Sequence, residues 1–422
     1  MAGLNVKGKR PIFYGWFLIP LCLANITVSS GIANTFSVIF VSLLREYGLS
    51  RADLSGVYSL YILVLFCGGV LVGPLLGRIG PRVIIPAGSA LIALGLWGCS
   101  RISSPYQLFF YYGCITALGC CCIAWLPNSL IITNWFVRRR GMAVGIVMCG
   151  AGVATLIFIP LTQFLIDWVG WRGAFLATGL LSVATIAPLN AVFQRSRPEE
   201  MGLRPDGVDP ESATQRTQSK PKIQEQWKVT HALKTGSFWM MGIAFLFNPF
   251  VTFTLTLHQV ALVVEQGFSP AAVTTTLGFI GIFAMLGRTS AGTLSDRIGR
   301  EPAYTLFMAF TSLGILSLFF LSPQKTWMLL AYVVLGGLGQ GVGGAMFPAM
   351  LADLFPGPRL GKIIGILSIF AGFGSSFGSW FLGYLHDLSG SYQWGLVFLF
   401  LAVCVAVIAV WIAAPRRALR FD

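Results

Sequence analysis

The sequence predicts an all-α membrane protein of twelve transmembrane helices, arranged as two pseudo-symmetric six-helix bundles. Composition is the first reason: the 422 residues are 55% hydrophobic and only 10% charged, with a mean hydropathy of +0.77. A soluble chain carries about a quarter charged residues. Run length is the second, because 327–352 and 394–415 are nearly unbroken apolar stretches, and roughly 20 apolar residues cross a bilayer as a helix. The third is an internal repeat at an offset of about 220 residues. GPLLGRIGPR at 73–82 is matched by GTLSDRIGR at 292–300, RRRGMAVGI at 138–146 by PRLGKIIGI at 358–366, and GWRGAF at 170–175 by QWGLVF at 393–398. Pro127 and Pro348 keep the same spacing.

The elements follow in order. Span 1, 13–41, comes after the basic leader MAGLNVKGKRPIFYGW. Its apolar stretch is too long for a signal-peptide core and has no small-x-small cleavage site, so it reads as a retained helix. Ala2 breaks the myristoylation pattern. Spans 2 and 3, 52–77 and 82–101, meet at the Gly- and Arg-bearing turn of GPLLGRIGPR. Spans 4 and 5, 106–136 and 141–168, flank the basic turn at 138–140, and span 6, 172–194, opens after Gly170. The next stretch, 195–236, mixes Pro, Ser, Gln and both charges without an apolar period, which marks a linker. It divides an N-terminal bundle, 1–194, from a C-terminal bundle, 237–422. The latter holds spans at 237–263, 270–294, 302–321, 327–354, 362–387 and 393–415. Gly141, Gly145, Gly150 and Gly152 on span 5 and Gly361, Gly365, Gly374 and Gly378 on span 11 have the small-xxx-small spacing that lets helices approach closely in lipid. Two repeated bundles imply a substrate site between them near mid-membrane, exposed alternately to each side.

A net charge of +14 raises nucleic acid as a partner, and its distribution removes it. Of 29 Lys and Arg residues, 23 fall on the side of the termini and linker, five (Arg45, Arg51, Arg101, Arg172, Lys325) on the other, and Arg288 inside a span. That excess places both termini and the linker in the cytoplasm by the positive-inside rule, and the charge attracts anionic lipid heads of the bilayer. The nine cysteines all lie within spans, without CxxC pairs or His/Cys ligand spacing. Neither a disulfide framework nor a metal site is expected. No paired carboxylates and no Ser/His/Asp or Cys/His set stand in the spans, so no enzyme, cofactor or obligate protein partner is expected.

Two resemblances add to this reading. Gly292-x-x-x-Asp296-Arg297-x-Gly299-Arg300 resembles the signature loop of the major facilitator superfamily, with Gly77 standing where the first-half copy expects the Asp. Physically, Asp and Arg at the membrane rim can pair and latch one conformation, so Asp296, Arg297, Arg300 and Arg78 are the latch residues. The rival reading leaves these arginines as positive-inside residues only. The second resemblance spans nearly the whole chain and is to the monocarboxylate transporter group and its bacterial relatives, including oxalate/formate exchangers. Tyr14-Gly15-Trp16, Asn134-Trp135-Phe136-x-x-Arg139-Arg140-Gly141, Gly170-Trp171-Arg172, Ser237-Phe238-Trp239 and Gly287-Arg288-Thr289-Ser290-Ala291-Gly292 carry it. It implies that Arg288, on span 8, binds a substrate carboxylate. It also exposes departures: the proton-carrying aspartate of animal members falls at Ala284, their span 1 lysine at Asn34, and the exchangers' second charge at Ala371.

Arg288 draws attention without any family. It is the only Lys or Arg placed inside a span, at a cost of roughly 3 kcal/mol on insertion scales, and its planar fork suits a carboxylate. The rival reading has it snorkelling to the rim about 10 Å away. One cation balances one anion, so the expected substrate is a small organic monocarboxylate, lactate- or pyruvate-sized, moved with a proton. His258 is the titratable candidate for that proton. Asn34, Tyr61, Trp125, Asn128, Tyr332 and Ser368 are the expected pocket residues. Rival functions are an organic-anion exchanger, a carboxylate sensor that does not transport, and drug efflux. The expected location is the plasma membrane, as the cytoplasmic membrane of a bacterium.

Overall fold

The computed structural model of the chain describes residues 13–137, 139–207, 229–357 and 360–413. The basic leader, the middle of the linker and the last residues of span 12 lie outside the described residues. All regular structure among the described residues is helical. The spans are α1 (Gly15–Tyr47), α2 (Arg51–Ile79), α3 (Pro81–Ser100) and α4 (Phe109–Trp135), followed by a single apolar stretch Arg140–Phe193. As one helix its 54 residues would reach about 80 Å, far beyond one bilayer crossing. Gly170 breaks it, with φ 72° and ψ 170°, a conformation that a side chain would strain. The pieces are α5 (140–169) and α6 (171–193). The second bundle is α7 (Gly236–Glu265), α8 (Pro270–Ile298), α9 (Arg300–Phe319), α10 (Trp327–Leu354), α11 (Leu360–Ser389) and α12 (Gln393–Ala413). Among the described residues, eleven helical stretches are long and apolar enough to cross a membrane, and the longest of them is divided at Gly170.

The sequence ranges hold to within a few residues except at two places. α1 runs six residues past the expected end, to Tyr47. α4 is not one continuous helix. It starts as a π-helix over Phe109–Thr116, continues as Ala117–Ile123, breaks at Ala124 (ψ −168°) and resumes as Trp125–Trp135. Pro127 supplies the cause: it has no N–H to offer the Ile123 carbonyl, the partner a continuous helix would require.

Burial forms two main cores. Phe36, Tyr58, Tyr112, Trp135 and Phe175 lie in the first, drawn almost entirely from α1–α6. Phe238, Phe250, Phe307, Tyr332, Met346 and Leu367 lie in the second, drawn from α7–α12 with two residues of the first bundle. The seam between the bundles is tight only over half its depth. On the face opposite the linker, Ser37 Oγ donates to the Leu257 carbonyl (3.1 Å) and Ser59 Oγ to that of Ser376 (2.6 Å). Near mid-depth α5 and α8 touch backbone to backbone: a Cβ on Gly281 would lie 2.0 Å from the Gly152 oxygen. Toward the linker face, a Cβ on Gly77 of α2, Gly145 of α5, Gly292 of α8 or Gly365 of α11 would meet nothing within 4 Å. The bundles are joined at the far face and parted at the linker face.

Paired substitutions read this asymmetry with opposite signs. Gly281→Ala forces α5 and α8 apart and costs about 1–3 kcal/mol, the usual scale of overpacking. Gly145→Ala, in open space, is neutral or stabilising by about 0.5–1 kcal/mol, because Ala outranks Gly in a helix. Unfolding of the detergent-solubilised protein, followed by intrinsic fluorescence, measures both.

Candidate functional site

The site is built around Arg288, where α8 meets α5. In α5 the helical ladder slips at Cys149. The Gly152 N–H turns to the Cys149 carbonyl (2.9 Å), three residues back, rather than to Met148. The Met148 carbonyl thereby leaves the ladder, and Arg288 Nη1 donates to it across the seam. On the other flank the α10 backbone closes in: a Cβ on Gly341 would sit 2.4 Å from the Arg288 nitrogen, and one on Gly344 3.7 Å from Nε. Arg288 Nε is buried without a hydrogen-bond partner among the described residues, as is Gln340 Nε2 on α10. The cation therefore has a neutral carbonyl and, among the described residues, no paired carboxylate. A guanidinium in that position has the charge and planar fork that an anion would need.

The other expected residues divide. Asn34 is buried, and its Nδ2 donates to Thr155 Oγ1 of α5 in the same bundle (3.2 Å), two turns beyond Met148. Ser368, half-buried, returns its hydroxyl to the Ile364 carbonyl (2.8 Å), and Trp125 is exposed where α4 resumes. The remaining three sit inside bundle cores. Asn128 donates to the Ile123 and Ala124 carbonyls (2.8 and 2.7 Å) that the α4 break releases, and accepts from Asn25 (2.9 Å). Asn25 also exchanges bonds with Asn190, so three asparagines tie α1, α4 and α6 together. Tyr61 is fully buried and stacks near Tyr58 and Tyr112. Tyr332 donates to Gln259 Oε1 (2.9 Å) within the second core. These three are held by their own bundles, not grouped on Arg288.

His258 lies elsewhere again, 1% exposed in the closed part of the seam. Its Nε2 faces the Ser379 carbonyl (2.9 Å) and so carries the hydrogen of the neutral ring; Nδ1 then accepts from the Tyr392 hydroxyl (3.2 Å). Ser55 Oγ of α2 is 3.2 Å from Nε2, and Phe40 of α1 meets the ring edge-on.

The rim residues also redistribute. Arg300 pairs with Asp296 (2.5 Å) and with Asp353 of α10 (2.8 Å), and donates to Ser295 Oγ (2.7 Å). This pins α8, α9 and α10 to one another within one bundle. Arg297 and Arg78 are exposed and form no ion pair among the described residues. The first-half counterpart of Arg300 is Arg82, which donates to the carbonyls of Gln194 (2.8 Å) and Val192 (3.2 Å) at the end of α6. Gly80 and Gly299 precede the two arginines with nearly the same backbone angles, φ 88° and 99°. Asp353 and Arg82 were not singled out from sequence, although the repeat that aligns the two turns contains the signal for Arg82.

The profile of the Major Facilitator Superfamily matches residues 21–336 and 291–420. The chain belongs to the Major Facilitator Superfamily. Its curated relatives include monocarboxylate transporter 2 of Homo sapiens, 26% identical over 413 residues, covering 94% of this chain and 84% of that protein. Monocarboxylate transporter 13 of Rattus norvegicus is 24% identical over 380 residues, covering 90% of this chain and 84% of its own. These matches bear out the resemblance to the monocarboxylate transporter group. In three dimensions this facilitator superposes on the crystal structure of a D-xylose-proton symporter with a TM-score of 0.74, at 16% identity, covering 95% of this chain and 97% of the other. A bacterial homologue of the human lysosomal transporter Spinster, inward-facing and occupied, gives 0.69 at 16% identity, covering 98% of each chain. The function of such a family is transport, not catalysis.

The asparagine triad of this facilitator is expected to act on stability alone. Asn128→Ala strips two buried carbonyls of their donor, at about 1–3 kcal/mol for each orphaned group. The apparent unfolding temperature should fall while the affinity of the folded fraction for an anion at Arg288 stays as in the parent, measured by ligand-induced thermal shift.

Proposed function

We propose that the chain carries small organic monocarboxylates of lactate or pyruvate size, with proton symport, by exposing Arg288 to each side of the membrane in turn. The observation that carries the reading is the guanidinium itself. It is the only Lys or Arg deeper than two helical turns within a described span, and it has a carbonyl rather than a carboxylate for company. A single fixed positive charge matches one carboxylate and leaves a second uncompensated, which favours a monoanion. The similarity to monocarboxylate transporters 2 and 13 supports the same substrate class. The positive-inside excess supports a cytoplasmic linker face, and with that orientation in the plasma membrane the conformation described opens inward.

Ala284, 8% exposed one turn before Arg288, favours a second reading. With no titratable group there, an exchanger that always returns loaded with another organic anion needs no proton at the site. Uptake of labelled lactate into proteoliposomes decides between them. Symport responds to an imposed pH gradient without internal anion; exchange requires internal anion and ignores the gradient.

Two variants extend the assay. Arg288→Ala should lower uptake at least tenfold, on the order of one charge-assisted hydrogen-bonded pair, and Arg288→Lys should recover only part, since the point charge lacks the fork. Uptake equal to wild type in Arg288→Ala would sink the carboxylate role. His258→Ala should flatten the dependence of uptake on external pH; an unchanged profile removes His258 from proton coupling.

A further inference from the structure

We infer that the cluster centred on Arg51 is the external gate of this carrier, a lock in which every bond from Arg51 and Ala52 runs to the other bundle. Arg51 is the first residue of α2. Its Nη2 donates to Glu265 Oε2 at the end of α7 (2.7 Å), its Nη1 to the Tyr392 hydroxyl (2.7 Å), and its guanidinium lies 4.9 Å from the centre of that ring. His386 Nε2 stands 3.1 Å from both Glu265 oxygens. The backbone is locked as well. Asp387 of α11 accepts from the Arg51 N–H (3.0 Å) and the Ala52 N–H (2.8 Å). Those two amides belong to the first turn of α2, which has no carbonyl of its own to bond them. A carboxylate at a helix N-terminus also meets the positive end of the helix dipole. Thus the second bundle caps a helix of the first.

Placement makes this a gate. The cluster covers Ser55 and His258, both buried beneath it, and stands at the opposite end of the seam from the parted linker face. Arg51, Glu265, His386, Asp387 and Tyr392 are the charged and titratable groups that meet there. Each bond from Arg51 or Ala52 to the other bundle must break before an external solute can reach Arg288. The rim location lets water replace those bonds, so opening is reversible. At the linker face the ion pairs of Arg300 stay within one bundle, so parting the bundles does not require them to break. The inference rests on the transport reading and on the orientation given above.

Labelling of a buried reporter tests it. Ser55→Cys, one helical turn below Arg51, is exposed to a membrane-impermeant maleimide added outside intact cells, with the parent chain and its nine cysteines as the blank. Slow labelling is expected with the gate intact, about tenfold faster labelling after Arg51→Ala, and smaller increases after Glu265→Gln or Asp387→Asn. The two isosteric variants carry the test if Arg51→Ala fails to fold. Rates unchanged from the Ser55→Cys parent in chains that elute from size exclusion as it does would overturn the gate. Labelling needs no substrate, so absent lactate uptake with gated labelling counts against the carboxylate reading only.

Discussion

A cation buried in a membrane protein needs partners, and Arg288 determines how the rest of this seam is built. Its partner is a backbone carbonyl, available only because α5 slips by one hydrogen bond at Cys149. The same segment contains Gly150 and Gly152, and Gly152 lets α5 press against Gly281 of α8 about two turns away from the arginine. Close backbone contact and the released carbonyl are therefore products of one short sequence, Cys149-Gly150-Ala151-Gly152. A bulkier or more regular α5 would lose both.

That arrangement links the site to the conformational change. The Arg288–Met148 bond joins α8 of one bundle to α5 of the other, at the depth where the seam begins to part. On the proposed function, a carboxylate arriving at Arg288 competes with the Met148 carbonyl, offering a full opposite charge and a bidentate match that a single neutral carbonyl lacks. Substrate binding thus exchanges a contact between bundles for a contact with the ligand. Where the glycines of the linker face stand open, the bundles are free to respond by closing around it.

Much of the architecture was legible because its causes are local. Apolar run length, the repeat around Arg82 and Arg300, and the positive-inside excess each act within a helix or a turn. Arg288 was legible for the same reason, since a lone charge in an apolar run carries its cost wherever it packs. Asn128, Tyr61 and Tyr332 were not separable from pocket residues in the sequence. A polar side chain on a span can face the seam or fill a core gap, and the answer lies in its neighbours. For Asn128 the neighbour is the α4 break, where Pro127 leaves carbonyls that its amide satisfies. His258 lies two turns from the end of α7, but its partners Ser55, Ser379 and Tyr392 come from three separate segments. No spacing within one helix encodes that. Arg51 looked like an ordinary loop arginine, because its partners are 214 or more residues away.

The neutral partner of Arg288 has a consequence for coupling. In an ion pair with a protonatable carboxylate, the empty site can be neutral and the proton can replace the substrate's role. A carbonyl cannot do this. Loaded with a monoanion, the site carries no net charge; empty, it carries one positive charge. Moving a full elementary charge through a membrane potential costs about 2.3 kcal/mol per 100 mV, so an empty carrier that drags Arg288 through part of the field is slowed on its outward return wherever the inside is negative. The loaded carrier is not. The absence of an acid at Ala284 therefore does more than remove a proton site. On the proposed function, it would bias the transport cycle toward steps in which an anion is bound, unless the positive charge is neutralised by another route.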